Sequence, residues 1–162
     1  MINGGGDMQR AIAARQAQVG GDWFFWVAGL SLANTLLAIM HTHFGFFFGL
    51  GVTGFAAYVA PGAGGWLAVT VVASAFFASF GLFARKGQQW AFIVGALFYL
   101  LDGLLLVGIH EYLEVAAHAY VLFRLFQGFQ AARLLSTLPA YYPPSDSPPP
   151  TTPGVWPPPP SR

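Results

Sequence analysis

The 162-residue chain has 56% hydrophobic and only 8% charged side chains, and its net charge is +1. A soluble domain has about 25% charged residues, so this chain could not cover a water-facing surface with polar groups. The near-neutral charge offers no basic face for nucleic acid. The lack of cysteine excludes disulfides, thiolate metal sites and cysteine nucleophiles. The composition predicts an integral protein of the lipid bilayer.

Residues 1–22 form a mostly small and polar N-terminal segment that includes Arg10 and Arg15. Met8, Ile12 and Val19 stand at helical spacing, so a short surface helix on the membrane is one interpretation. Disorder is the alternative. Because cytoplasmic segments carry an excess of arginine and lysine, the two arginines predict a cytoplasmic N-terminus.

Five apolar blocks follow, separated by short glycine-rich or charged joints. Only seven Asp, Glu, Lys or Arg side chains fall between Trp23 and Leu138. About 17–25 apolar residues are needed for a helix to cross roughly 30 Å of hydrocarbon. The sequence therefore predicts an all-α, multi-pass transmembrane helical domain over residues 23–138. Its blocks are 23–40, 44–60, 66–84, 89–109 and 115–138.

The second block, 44–60, is short and rich in glycine. Gly45, Gly49, Thr53 and Ala57 recur every four residues and predict a small-residue face for close packing on a neighbour, a protein partner or a second copy of the chain. The block could be a re-entrant segment, which is tolerated only where protein buries it. It could also be a short fifth span.

Charge distribution favours the re-entrant alternative. If all five blocks cross, Arg85 and Lys86 lie on the outer side, and so does the C-terminus that follows Arg133. With four spans and a re-entrant second block, all three lie on the side of the N-terminus. The positive-inside rule thus predicts four spans in a bacterial inner membrane, with both termini cytoplasmic.

Residues 139–162 form a proline-rich C-terminal tail that contains eleven of the twelve prolines. This composition predicts a disordered segment with polyproline II character. The run from Pro150 to Pro153 matches a PxxP ligand for a protein partner, whereas a passive tail is the plainer interpretation.

Two ionisable residues, Asp102 and Arg124, lie inside predicted spans, where such groups are costly and often functional. Asp102 is about thirteen residues along its span from the cytoplasmic end, and Arg124 is about eight residues into the next span from the other side. These counts place the two at similar depth and predict an ion pair. Asn34 and Ser74 fall at comparable depth and complete an intramembrane polar layer. The layer could hold the helices together, or it could form a proton or ion path.

The histidines suggest a second type of site. His110, Glu114 and His118 are spaced by four residues, which on a helix would place them along one side. His41 and His43 end the first span on the same predicted outer side. The set predicts a metal or heme site, although the spacing matches no zinc motif and a joint between spans is an ordinary place for polar residues.

Two stretches resemble a known class of protein. One runs from Asp22-Trp23-Phe24-Phe25-Trp26 to Asn34, and the other runs from Arg85-Lys86-Gly87-Gln88-Gln89-Trp90 to Asp102-Gly103. Together they are similar to small multi-pass inner-membrane proteins of bacteria with no assigned activity. The resemblance implies a helical inner-membrane protein and adds no catalytic residue.

Three functions are compatible with these patterns. The first is a membrane scaffold or accessory subunit without catalytic residues or cofactor, whose polar layer is structural. The second is a small oligomeric transporter or ion-conducting subunit that uses Asp102. The third is a metal- or heme-dependent membrane enzyme that uses the histidine cluster.

Overall fold

The computed structural model describes residues 4–40, 50–53, 56, 62–108, 110 and 112–139. Four long helices fill most of these ranges: α1 Gly4–Ile39, α2 Ala63–Arg85, α3 Gln89–Gly108 and α4 Tyr112–Thr137. No strand occurs in the described ranges, and the all-α class is confirmed. Three helices, α1, α2 and α3, are long and apolar enough to cross a membrane.

The helices form a closed bundle in which each contacts the next along the chain and α4 contacts α1. Aromatic side chains fill its centre, where Phe24 packs against three phenylalanines of α2 and α3. Large apolar side chains also cover the outside, and Val72 and Leu104 are 70% and 57% exposed. A water-facing surface of this kind is unfavourable, whereas hydrocarbon would solvate it.

Helix α1 differs from the sequence-based expectation for residues 1–22. From Gly4 onward the chain is neither a separate surface helix nor irregular, because α1 continues unbroken through Trp23 to Ile39. Its 36 residues span about 54 Å, well beyond the roughly 30 Å of a hydrocarbon core. Ala13 and Ala17 are buried in this extension.

The extension of α1 packs against the second half of α4. Arg10 Nη1 donates to the carbonyl oxygens of Leu138, at 3.2 Å, and Pro139, at 2.6 Å. The two helices cross where Gly20 meets Gly128. A Cβ on Gly128 would lie 2.7 Å from both the Gly20 Cα and the Phe92 Cε1, so only glycine permits this approach.

A tight turn joins α2 to α3. The Gly87 N–H bonds to the Ala84 carbonyl and the Gln88 N–H to the Phe83 carbonyl, with Gly87 at φ 75°. This hydrogen-bond pattern is the Schellman ending of a helix, which favours glycine at that position. The turn lies beside α1, where Arg85 Nε is 3.1 Å from Asp22 Oδ1.

These contacts place the start of α1, the α2–α3 turn and the end of α4 at one end of the bundle. Gln89 also donates to Ser136 Oγ at 2.9 Å, which ties α3 to α4 there. We call this end the basic end, because it carries most of the chain's cations. Its basic residues are Arg10, Arg15, Arg85, Lys86 and Arg133.

Two features predicted from the sequence lie outside the described residues. One is most of the small-residue face, namely Gly45, Gly49 and Ala57; Thr53 alone is described. The other is the proline-rich tail beyond Pro139.

Candidate functional site

Residues 50–53 lie within the bundle as a short turn. Leu50 and Thr53 are 3% and 5% exposed. The Thr53 N–H and hydroxyl both donate to the Leu50 carbonyl, at 3.1 and 2.7 Å. The backbone N–H groups at the start of a helical turn have no partners within it, so other elements must supply acceptors.

Asp102 of α3 supplies two of these acceptors. Its Oδ2 accepts from the Gly51 N–H at 2.6 Å, and its Oδ1 accepts from the Val52 N–H at 2.8 Å. A carboxylate at the start of a helical turn satisfies free N–H groups and interacts favourably with their dipoles. Asp102 is 6% exposed, and it acts as a cap contributed by a distant part of the chain.

His118 of α4 is the ionic partner of Asp102. Its Nε2 lies 3.0 Å from Asp102 Oδ2, and its Nδ1 lies 3.0 Å from the Glu114 carbonyl oxygen. A carbonyl oxygen can only accept, so Nδ1 carries a proton; a second proton must lie between Nε2 and the carboxyl group. Both carboxyl oxygens of Asp102 therefore have hydrogen-bond partners, two from the backbone and one from His118.

Tyr99 covers the histidine. Its ring stacks on the His118 ring with centroids 4.3 Å apart and planes 9° from parallel. The Tyr99 hydroxyl and the Ser74 hydroxyl are both buried, and neither has a hydrogen-bond partner among the described residues.

Side chains of α1 and α2 form hydrogen bonds with other backbone groups of the turn at residues 50–53. Ser31 Oγ donates to the Val27 carbonyl at 2.8 Å and accepts from the Leu50 N–H at 2.7 Å. Trp66 Nε1 donates to the Thr53 carbonyl at 2.6 Å. Side chains from all four helices thus contribute to one buried cluster. Its members are Ser31, Trp66, Tyr99, Asp102 and His118, and we call it the Asp102 cluster.

The expected ion pair between Asp102 and Arg124 is absent, since Asp102 pairs with His118 instead. The reason is the register of the α3–α4 hairpin: Asp102 precedes His110 by eight residues and His118 follows it by eight. Arg124 lies six residues further along α4, about 9 Å away along its axis. The depths estimated from residue counts along the two spans missed this offset.

Arg124 lies near the basic end. Its Cζ is 5.8 Å from the centroid of the Trp23 ring, and its Nη1 donates to Gln127 Oε1 at 2.9 Å. The other two members of the predicted polar layer are placed apart from it. Ser74 is buried on α2, and Asn34 is half-buried on α1.

The described members of the predicted metal or heme set, His110, Glu114 and His118, are not gathered into a site. His110 precedes the start of α4 and has φ 64°, so it cannot continue the helical side occupied by Glu114 and His118. Both His118 nitrogens have hydrogen-bond partners. Among the described residues no group of three or more His, Asp or Glu is placed to hold a metal ion. His41 and His43 lie outside those residues.

The sequence interpretation missed most of the Asp102 cluster. Ser31, Trp66 and Tyr99 are ordinary residues of membrane helices, and only the tertiary structure gives them a shared role. The pairing of Asp102 with His118 did have a signal, namely their equal distance from the centre of the joint. A hairpin with a short turn sets such residues opposite each other.

Comparisons with known proteins add no family. The chain matches no protein-family model, and neither the curated proteins nor the solved structures contain a significant match.

Proposed function

We propose that this protein is a non-catalytic membrane scaffold or accessory subunit, in which the Asp102 cluster fixes the shape of the bundle. The observation that carries the proposal is the engagement of Asp102. Both of its carboxylate oxygens accept backbone N–H groups, and one also contacts His118. A substrate or ion would have to displace these contacts before it could bind.

The chemistry of the turn supports a structural role. Backbone N–H groups inside a membrane must find partners within the protein, since lipid offers none. Ser31 and Asp102 together accept the N–H groups of Leu50, Gly51 and Val52. The polar groups of the cluster therefore serve the backbone of this chain.

We further propose that the protein crosses the bacterial inner membrane four times with the basic end in the cytoplasm. The grouping of Arg10, Arg15, Arg85, Lys86 and Arg133 at one end supports this orientation. Helix α4 would be the fourth span, antiparallel to α3. The second block would then be re-entrant, with both termini cytoplasmic.

Substitution of Asp102 tests the scaffold proposal. The Asp102→Asn variant keeps the shape but presents an amide NH₂ where an oxygen accepts now, leaving at least one buried donor unpaired. We expect a loss of about 1–3 kcal/mol of unfolding free energy, measured by denaturant or thermal unfolding of the purified protein. The matched control is Asp22→Asn, because Asp22 is partly exposed and its ion pair with Arg85 contributes little.

Flux measurements on the same proteins separate the scaffold from its rival. Wild-type protein in liposomes should give no proton, sodium or potassium flux above that of empty liposomes. Protein-dependent flux that disappears in Asp102→Asn, with unchanged unfolding, would contradict the scaffold proposal.

A small oligomeric transporter or ion-conducting subunit is the second candidate. One observation favours it: the buried Asp102–His118 pair lies beside Tyr99, whose hydroxyl, like that of Ser74, has no hydrogen-bond partner among the described residues. Groups of this kind could relay a proton if the bundle changed shape. Its test is the flux experiment just described.

A scaffold needs a partner, and we propose the proline-rich tail as the binding segment. Arg10 binds the carbonyls of Leu138 and Pro139, so truncation after Pro139 keeps the contact between α1 and α4. We expect loss of residues 140–162 to abolish co-isolation of a partner from membranes while the unfolding midpoint stays unchanged. Retention of every partner by the truncated protein would contradict the assignment.

A further inference from the structure

A groove of about 630 Å³ lies between α1 and α4 at the basic end. Arg15 and Gln16 line it from α1, and Arg124, Gln127 and Gln130 line it from α4. The close Gly20–Gly128 crossing also lines the groove. The two helices therefore place Arg15 and Arg124 around the same cavity. Among the described residues that line it, none is acidic.

Arg124 keeps hydrogen-bonding capacity for a ligand. Nη1 donates to one acceptor, Gln127 Oε1, so the remaining N–H donors of the two Nη groups are available, whereas Nε is buried. A guanidinium has five N–H donors in a planar fork that matches the oxygens of a phosphate. The Trp23 ring beneath its Cζ restricts the side chain to this position.

The position of the groove fits the border of a bilayer. Trp23 begins the apolar part of α1, and the Asp22–Arg85 ion pair lies one residue before it. Arg15 is eight residues earlier, about 12 Å further along the axis. The headgroup layer on each side of the hydrocarbon is about 5–7 Å thick, and the long side chains of Arg15 and Arg124, which line the same cavity, can both reach into it.

We propose that this groove binds the phosphate of an anionic phospholipid headgroup. Arg124 and Arg15 would hold the phosphate, and the three glutamines would bond to headgroup hydroxyls or ester oxygens. Val19 and Leu134 add an apolar wall on which the start of an acyl chain could lie. The site extends the membrane placement proposed above and is independent of the scaffold role.

Lipid titration of the full-length protein tests this site. Delipidated protein in a neutral detergent would be titrated with phosphatidylglycerol, phosphatidylcholine or inorganic phosphate, and binding followed by native mass spectrometry and by the unfolding midpoint. We expect phosphatidylglycerol to bind and to raise the midpoint. Phosphatidylcholine and inorganic phosphate should bind at least tenfold more weakly.

Three arginine variants localise the binding. Arg124→Gln and Arg15→Gln should each weaken phosphatidylglycerol binding by about tenfold or more, because each removes a charge-assisted hydrogen bond. Arg133→Gln is the matched control: it removes the same charge from an exposed position of α4 outside the groove, and a change below about twofold is expected. Arg15 is exposed, so its variant decides the matter if Arg124→Gln fails to fold.

Several results would overturn the proposal. Equal loss in all three variants would indicate a general effect of surface charge. Phosphatidylcholine binding as tightly as phosphatidylglycerol would show that headgroup charge is not recognised. Inorganic phosphate that displaces the lipid at equal concentration would assign the groove to a free anion.

Discussion

Asp102 shows how a carboxylate is retained in an otherwise apolar helix. Three donors surround it, and the partner ion His118 comes from the neighbouring helix. Removing one partner of a buried pair costs more than the pair itself contributes, because the remaining charge is left without compensation. The same logic makes His118 as sensitive to substitution as Asp102.

His118→Gln is the residue-scale test of this pair. The variant loses the ring that stacks on Tyr99 and the Nε2 contact with Asp102, so we expect a loss of about 1–3 kcal/mol of unfolding free energy. The matched control is His110→Gln, which makes the same change at an exposed position before α4. Equal effects of the two substitutions would contradict the pairing.

The sequence predicted that Asp102 is special but named the wrong partner. Arginine is the usual partner of a buried carboxylate, and Arg124 was the cation within reach by residue count. His118 and Arg124 are six residues apart along α4, and the position of the hairpin turn determines which of them lies opposite Asp102. Ser31 and Trp66 could not be predicted, because their roles depend on a turn made by residues far away in sequence.

At the scale of helices, the crossing of α1 and α4 depends on glycine. Gly128→Ala would place a methyl group against the Gly20 backbone and the Phe92 ring. The helices would have to separate, which we expect to cost about 1–3 kcal/mol of unfolding free energy. Comparison with Gly29→Ala isolates the crossing, since a Cβ on Gly29 of α1 would meet nothing within 4 Å. Similar stability of both variants would contradict a close crossing.

The apolar spans of α2 and α3 follow directly from hydropathy, whereas the first half of α1 did not. Residues 4–22 are too polar to indicate a span, and that polarity hid their helical character. Met8, Gln9, Arg10, Ala11 and Ala13 belong to types with high or intermediate helix propensity. Propensity was therefore the usable signal here, and the contact with α4 supplies the packing that a lone helix lacks.

At the scale of the whole molecule, the grouping of the joints at two opposite ends of the bundle predicts which of them face the outside of the cell. Single cysteines at Gly64, Lys86 and Pro139 would each be exposed in this cysteine-free chain. With the basic end cytoplasmic, we expect an impermeant thiol reagent in intact cells to label position 64 and to spare positions 86 and 139. Labelling at 86 and 139 with protection at 64 would reverse the proposed orientation.

The cap on the turn at residues 50–53 also sets an order of events during biogenesis. The Asp102 carboxylate is synthesised 51 residues after the Gly51 N–H group that it accepts. At roughly 5–20 residues per second, the ribosome needs about 3–10 s to make the intervening chain. Until α3 has been delivered, the Gly51 and Val52 N–H groups lack the acceptor that they have in the folded bundle. We therefore expect the turn at residues 50–53 to reach its buried position only after α3 has been inserted.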